Sequence, residues 1–122
     1  MGNLPGKPVS FWLDSTAKTN YPKMESVTVD VAIIGAGITG ITAAYLLKKA
    51  GKTVALIEAQ EIAASASGHT TAKVTSLHQL IYDTLIDRHG EDKARLYGES
   101  NQAGVEFVAS TVEKEGDRKS VV

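Results

Sequence analysis

The chain has 122 residues, of which 43% are hydrophobic and 22% charged, a balance typical of a soluble globular protein with one modest core. Its 13 basic and 14 acidic residues leave a net charge of −1, which argues against nucleic acid or anionic lipid as a partner. The absence of cysteine excludes disulfides, thiol redox chemistry and cysteine-ligated clusters from these residues. Glycines and polar residues break every apolar run before it reaches membrane-spanning length, so we expect a cytoplasmic protein without a membrane span.

Residues 1–25 are predicted to form an N-terminal arm. They contain all three prolines of the chain and sustain no hydrophobic period, which indicates an extended arm or loop. Phe11, Trp12 and Leu13 interrupt this pattern. Because three adjacent large apolar side chains are costly to leave in water, we expect them to pin the arm to the domain, with a ligand contact as the alternative.

A strand and a glycine-rich loop follow the arm. The apolar run Val31–Ile34 is short, rich in β-branched residues and stopped by a glycine, which predicts a strand buried on both faces. Residues 35–40 then read GAGITG. In such a loop the first glycine permits a tight turn, the second leaves room for a pyrophosphate against bare backbone, and the third lets a helix pack close to the sheet.

A helix over about 38–50 and a second strand over 53–58 complete this unit. The helix is predicted to end at Gly51 as its C′ residue. Its apolar positions recur at helical spacing: Ile38, Ile41, Tyr45, Leu46 and Leu47. Glu58 lies 23 residues after Gly35, close to the spacing of roughly 20 at which a dinucleotide site places its ribose-binding acid. The pattern predicts a dinucleotide-binding unit, and the alternative is an ordinary crossover whose glycines only make a tight turn.

Residues 63–73 are small and hydroxylated, reading AASASGHTTAK. Such residues lack the bulk for a core, but they suit a loop whose backbone approaches a cofactor and donates hydrogen bonds to it. A flexible surface loop is the alternative reading of this composition. The position of the segment directly after the predicted ribose-binding acid favours the cofactor.

Two helices are predicted for the remainder. Ser76 is a candidate N-cap for the first, which should end at Gly90 and bury one face composed of Leu77, Leu80, Ile81 and Leu85. The second should run over 91–114 and stop at Gly116, with its inward positions at Ala94, Tyr97, Val105, Val108 and Val112. Val121 and Val122 would suit the start of a third strand.

Other catalytic patterns are weak in this sequence. The three histidines lie in separate segments without the paired spacing of metal ligands, so no metal site is predicted. Ser65 and Ser67 lie in a run of small residues rather than on a strained turn between strand and helix, so no catalytic triad is indicated. The predicted fold class is α/β: a Rossmann-like βαβ unit with parallel strands and a right-handed crossover, followed by two long helices.

The sequence resembles the D-amino-acid-oxidase-like family of FAD-dependent oxidoreductases. The matching pieces are VDVAIIGAGITGITAAYLLKKAGKTVALIEA and GHTTAKVTSLHQLIYD. The second piece resembles a branch in which some members carry an added Rieske iron–sulphur module, whose cysteines are absent here. The resemblance covers nearly all of the chain but only the first part of the family's pattern. We therefore expect residues 26–122 to be the N-terminal part of an incomplete FAD-binding domain that is inactive alone.

The resemblance implies a set of cofactor-binding residues. The pyrophosphate loop is matched by Gly35, Ala36, Gly37, Ile38, Thr39 and Gly40. Glu58, followed by Ala59, matches the acid that binds the adenosine ribose, and Thr70, Thr71 and Ala72 match the small loop that lies along the flavin. In this family the flavin takes a hydride from the carbon next to an amine, which implies an amine or amino-acid substrate. Catalytic positions have no counterpart in these residues.

Two other functions fit the glycine loop. An NAD-dependent dehydrogenase uses the same loop, but it usually continues from its ribose-binding acid into a short helix and a further strand, whereas GHTTAKVT favours flavin. A truncated, non-catalytic binding module is the second alternative. An incomplete sheet would also leave an unpaired edge, through which copies of the chain could associate.

Overall fold

The computed structural model describes residue 6, residues 9–18 and residues 20–116. These residues divide between two compact units, those up to Thr71 and those from Ala72 onward. The third strand predicted at the C-terminal valines lies outside the described residues. Within the described ranges, no helix combines the length and apolar character needed to cross a membrane.

The first unit is a βαβ arrangement preceded by a short helix. In chain order its elements are α1 (Phe11–Ser15), β1 (Val31–Ile34), α2 (Ile38–Lys49), β2 (Val54–Ile57) and a 3₁₀ turn (Ala66–His69). The two strands pair in parallel, with Val31 opposite Val54 and Ile34 opposite Ile57. The predicted α/β class with parallel strands is confirmed. The arm is not wholly extended, because one turn and a half of helix forms where its large apolar residues lie.

A polar clasp joins the amino ends of the strands. The Oδ2 atom of Asp30 accepts hydrogen bonds from the backbone N and the Oγ1 of Thr53, both at 2.8 Å. The Asp30 N–H in turn donates to Thr53 Oγ1 at 2.9 Å. The two bonds that Thr53 donates to the carboxylate, first that from its backbone N–H, favour the ionised form and lower the pKa of Asp30. They anchor the strand pair at the end opposite the glycine loop.

Helix α2 ends as its sequence predicts. Gly51 has a φ of +80°, and its N–H donates to Lys48 O at 3.0 Å. The next N–H, that of Lys52, donates to Leu47 O at 3.0 Å. This pair of bonds is the Schellman motif, which satisfies carbonyls left over at the helix end. Gly51 is confirmed as the C′ residue.

The prediction that β1 is buried on both faces was wrong. Ile33 faces α2, whereas Ile34 on the opposite face is 87% exposed. Three of the apolar positions that recur at helical spacing in α2 are also exposed: Ile38 at 69%, Leu46 at 47% and Ile41 at 37%. The physical reason is that an apolar run indicates a preference for burial but does not tell how many helices pack on the sheet. A single helix covers one face of the strand pair.

The second unit consists of α3 (Ile81–His89) and α4 (Glu91–Glu115), joined at Gly90, whose φ is +84°. Helix α3 begins four residues later than predicted, with Leu80 rather than Ser76 at its N-cap position. Gln79 adopts a left-handed φ of +54°, which breaks the helix, and Ser76 Oγ donates to Gln102 Oε1 at 2.8 Å rather than capping α3.

Aromatic residues hold α3 against α4. The hydroxyl of Tyr82 donates to Ser76 O at 2.6 Å, and its ring packs edge-on to that of Tyr97 with centroids 6.0 Å apart. The Tyr97 hydroxyl also lies 2.7 Å from His78 Nδ1. Ala94 is buried as predicted, whereas Val108, expected to face inward, is 36% exposed.

Gly104→Ala is expected to raise the free energy of unfolding by about 0.5–1 kcal/mol. Gly104 lies inside α4, and a Cβ added there would meet nothing within 4 Å, so alanine gains helix propensity without a clash. Urea denaturation followed by circular dichroism measures the change.

Gly98→Ala is the matched control for this substitution in the same helix. Its Cβ would lie 3.2 Å from Tyr82 Cε1, so part or all of the gain should be lost as the ring shifts. Equal stabilisation by both substitutions would mean that Tyr82 does not pack on α4 as the structure shows.

Candidate dinucleotide site

Two glycines of the loop are required by the fold itself. Gly35 adopts a φ of +98° and donates its N–H to Ile57 O at 2.8 Å, so the chain turns sharply as it leaves β1. A Cβ built on Gly40 would lie 1.9 Å from Gly35 O and 3.4 Å from Ile33 Cγ2. Only a residue without a side chain allows α2 to approach the sheet and the loop this closely.

Gly37 has no such structural requirement. Its φ of −80° and ψ of −176° are open to any residue, and a Cβ would meet only Ser67 Oγ, at an ordinary 3.5 Å. Gly37 is the N-cap of α2, where the first N–H groups of the helix and the helix dipole favour an anion. The missing side chain therefore leaves space beside the end of a helix that attracts negative charge.

The carboxylate of Glu58 lies against the glycine loop. Its Oε2 accepts a hydrogen bond from the Ala36 N–H at 2.8 Å, and its Oε1 accepts one from the Gln60 N–H at 3.0 Å. These two bonds, first that from Ala36, lower the pKa of Glu58 because they stabilise the charged form. Each carboxylate oxygen keeps a lone pair for a further donor such as a ribose hydroxyl.

A shallow depression at this point combines the loop, the acid and the segment after β2. The residues lining it are Ala36, Gly37, Glu58, Gln60, Glu61, Ala63, Ala64 and Ser65. It offers a carboxylate and bare backbone, the chemistry that an adenosine ribose and a pyrophosphate need. A second, apolar groove on α2, which shares no lining residue with the first, is lined by Ile38, Thr39, Thr42, Ala43 and Leu46.

Comparison with known proteins agrees with this geometry. The model of the family described as FAD-dependent oxidoreductase, DAO, matches residues 30–117. The chain belongs to this family. The predicted resemblance to a family of FAD-dependent oxidoreductases is confirmed.

Three relatives of this DAO-family chain illustrate its neighbourhood. YhfW of Bacillus subtilis, named for a Rieske 2Fe-2S centre, is 44% identical over 88% of this chain and 21% of its own length. Gamma-glutamylputrescine oxidoreductase of Escherichia coli is 31% identical over 74% of this chain and 21% of its own. OrdL of Haemophilus influenzae, named as a probable oxidoreductase, is 28% identical over 86% of this chain and 25% of its own length. The chain thus spans about a fifth to a quarter of these relatives, and no solved structure matches it.

The residues that the DAO family would use are brought together in part. The loop Gly35–Gly40 and Glu58 meet through the Ala36 N–H. Ala59 follows Glu58 at the end of β2, and its N–H adds to the lowering of the Glu58 pKa. Thr70 and Thr71 end the first unit, while Ala72, with a φ of +58°, begins the second.

Two contacts of the small-residue segment were missed from the sequence. The Ala63 N–H donates to Ala36 O at 2.9 Å, and Ser67 Oγ accepts a hydrogen bond from the Ile38 N–H at 3.0 Å. Both place the segment directly against the glycine loop. The only sequence signal was the serine in a run of small residues, which does not tell one serine from another.

The described residues form no candidate site for a metal ion. Within the described ranges no three His, Cys, Asp or Glu side chains converge as a metal site requires. A Rieske centre needs cysteine and histidine ligands, and the 122 residues contain no cysteine. The 122 residues of this chain therefore lack the cysteine ligands of the kind of centre for which YhfW is named.

Proposed function

We propose that the chain binds the ADP portion of FAD in an oxidoreductase that acts on amines or amino acids. The observation that carries this proposal is the hydrogen bond from the Ala36 N–H to the Glu58 carboxylate, which lies beside the N-terminus of α2. Gly37, the N-cap of that helix, is a glycine that the fold does not require. The space left at Gly37 and the donor and acceptor groups around it fit this part of the cofactor.

Each part of the site has a distinct role toward FAD. The N-terminus of α2 and the bare backbone at Gly37 would bind the pyrophosphate, since both favour an anion at close approach. Glu58 would accept hydrogen bonds from the ribose hydroxyls. Its negative charge would repel a 2′-phosphate, so NADP should bind poorly.

The proposed reaction class follows from the cofactor and one relative. Bound FAD supplies the hydride acceptor, and the residues of this chain bind and orient it. Gamma-glutamylputrescine oxidoreductase is named for a substrate that carries amines, which supports an amine as the hydride donor. Since the chain spans 21% of that relative, the substrate is inferred at the level of a class.

Glu58→Ala is expected to weaken FAD binding by about tenfold to a hundredfold, because it removes charge-assisted hydrogen bonds to the ribose and the acceptor that orients the Ala36 N–H. Titration of the apoprotein with FAD, followed by flavin fluorescence, measures the dissociation constant. An unchanged constant would remove Glu58 from the site, and failure of the parent chain to bind FAD would contradict the proposed function.

Glu58→Gln is the matched control, because it keeps an oxygen acceptor for the Ala36 N–H and loses the charge. The affinity of Glu58→Gln for FAD should lie between those of the parent and Glu58→Ala. The fold lowers the pKa of Glu58 from its ordinary value of 4.5. Above pH 4.5 the ionised carboxylate therefore makes its full contribution to the free energy of unfolding. The contribution should be lost as the pH falls below that value, and this dependence should be absent in both variants.

A further inference from the structure

The N-terminal arm holds the backbone of the segment that follows β2. Trp12 Nε1 donates a hydrogen bond to Thr70 O at 2.8 Å, and Ser10 Oγ donates to Gly68 O. Leu13 closes on the same turn, since its Cδ2 would lie 2.9 Å from a Cβ built on Gly68. Two carbonyls of the segment therefore have their directions set by side chains more than fifty residues away.

The arm contributes little to an apolar core. No residue of α1 is buried, and Trp12 is 43% exposed. Phe11 packs edge-on to the Trp12 ring with centroids 5.3 Å apart, yet is itself 71% exposed. Because so little apolar surface is buried, directed hydrogen bonds rather than burial are the specific feature of this contact.

The orientation of one peptide plane links the arm to the loop. In a trans peptide the C=O and the following N–H point in opposite directions, and the described chain contains no cis peptide. With Thr70 O held by the indole, the N–H of Thr71 is directed away from Trp12. The same segment reaches the glycine loop through Ser67 and the Ile38 N–H. The arm can thus orient a donor of the segment while the βαβ unit binds the nucleotide.

We propose that Trp12 is a positioning residue, which fixes the Thr70–Thr71 peptide so that its N–H faces the flavin part of FAD. This inference rests on the proposed FAD function and deepens it. Trp12 acts through the backbone of Thr70 and does not itself contact the cofactor. The hydrogen bonds that join Glu58 to the glycine loop and to Gln60 do not involve the arm.

Trp12→Phe in the 122-residue chain tests this role, because phenylalanine keeps an aromatic ring beside Phe11 but has no N–H to donate to Thr70 O. Calorimetric titration with FAD and, separately, with ADP should show FAD bound about two- to tenfold more weakly and ADP bound as by the parent. Tyr21→Phe is the matched control, since Tyr21 is a 66% exposed aromatic residue of the same arm and should change neither affinity. Ser10→Ala, which releases Gly68 O, should reproduce the selective loss.

The remaining outcomes overturn the inference in distinguishable ways. A parallel loss of FAD and ADP affinity with a lower thermal midpoint in both variants would mean that the arm only stabilises the unit. Unchanged FAD affinity in Trp12→Phe and in Ser10→Ala would leave the proposed function standing and remove the positioning role. Failure of the parent to bind FAD would refute both.

Discussion

Gly37→Val is expected to abolish FAD binding while leaving the secondary structure and the free energy of unfolding close to those of the parent. The φ and ψ of Gly37 suit any residue, and the first new contact would be with Ser67 Oγ at 3.5 Å, so valine imposes no backbone strain. Its branched side chain would instead fill the space beside the N-terminus of α2 that the pyrophosphate needs. FAD titration and circular dichroism on one preparation separate the two effects.

Gly37→Ala provides the graded control for this substitution. A single methyl group fills less of the same space, so the affinity of Gly37→Ala for FAD should lie between those of the parent and Gly37→Val. Full retention of FAD by Gly37→Val would show that the loop is only a turn between strand and helix, and the dinucleotide site would then be wrong.

Gly40→Ala should have the opposite signature, a large loss of stability. Its Cβ would lie 1.9 Å from Gly35 O and 3.2 Å from Gly35 C, both backbone atoms that no rotamer change can move. Overpacking of this kind costs about 3 kcal/mol or more, a large part of the roughly 5–15 kcal/mol that stabilises a typical domain. Urea denaturation monitored by circular dichroism measures the shift in midpoint.

Gly104→Ala is the control that isolates this clash, because it makes the same chemical change in a helix where a Cβ has open space. The two substitutions should move the midpoint in opposite directions. If Gly40→Ala unfolds at the urea concentration of the parent, then α2 does not pack on Gly35 as closely as the structure shows.

Local signals explain why the first unit could be predicted so closely. Strand β1 has the predicted bounds, and α2 ends one residue before the predicted limit, because a glycine terminates each element through a conformation encoded at that position. The contact between Ala36 and Glu58 was also predictable in outline. Two parallel strands joined by a short helix must bring the end of the second strand beside the loop that follows the first.

The beginning of α3 shows where local signals fail. Ser76 is a good N-cap by composition, yet its hydroxyl bonds to Gln102 of α4, and Gln79 turns left-handed before the helix starts at Ile81. The competing partner lies 26 residues away in the chain. Helix-capping preferences depend only on neighbouring residues and therefore cannot predict that contact.

The βαβ unit, the glycine turns and the acid at the end of β2 could all be predicted from the amino-acid sequence, since each depends on neighbouring residues or on a short crossover. Two features became known only from the folded chain: the face of β1 that α2 covers, and the glycine, Gly37, that the fold does not require. The folded chain also shows that Trp12 and Ser10 hold carbonyls 58 residues further along the chain. Such contacts depend on how separate elements meet in space, and neither composition nor periodicity records that.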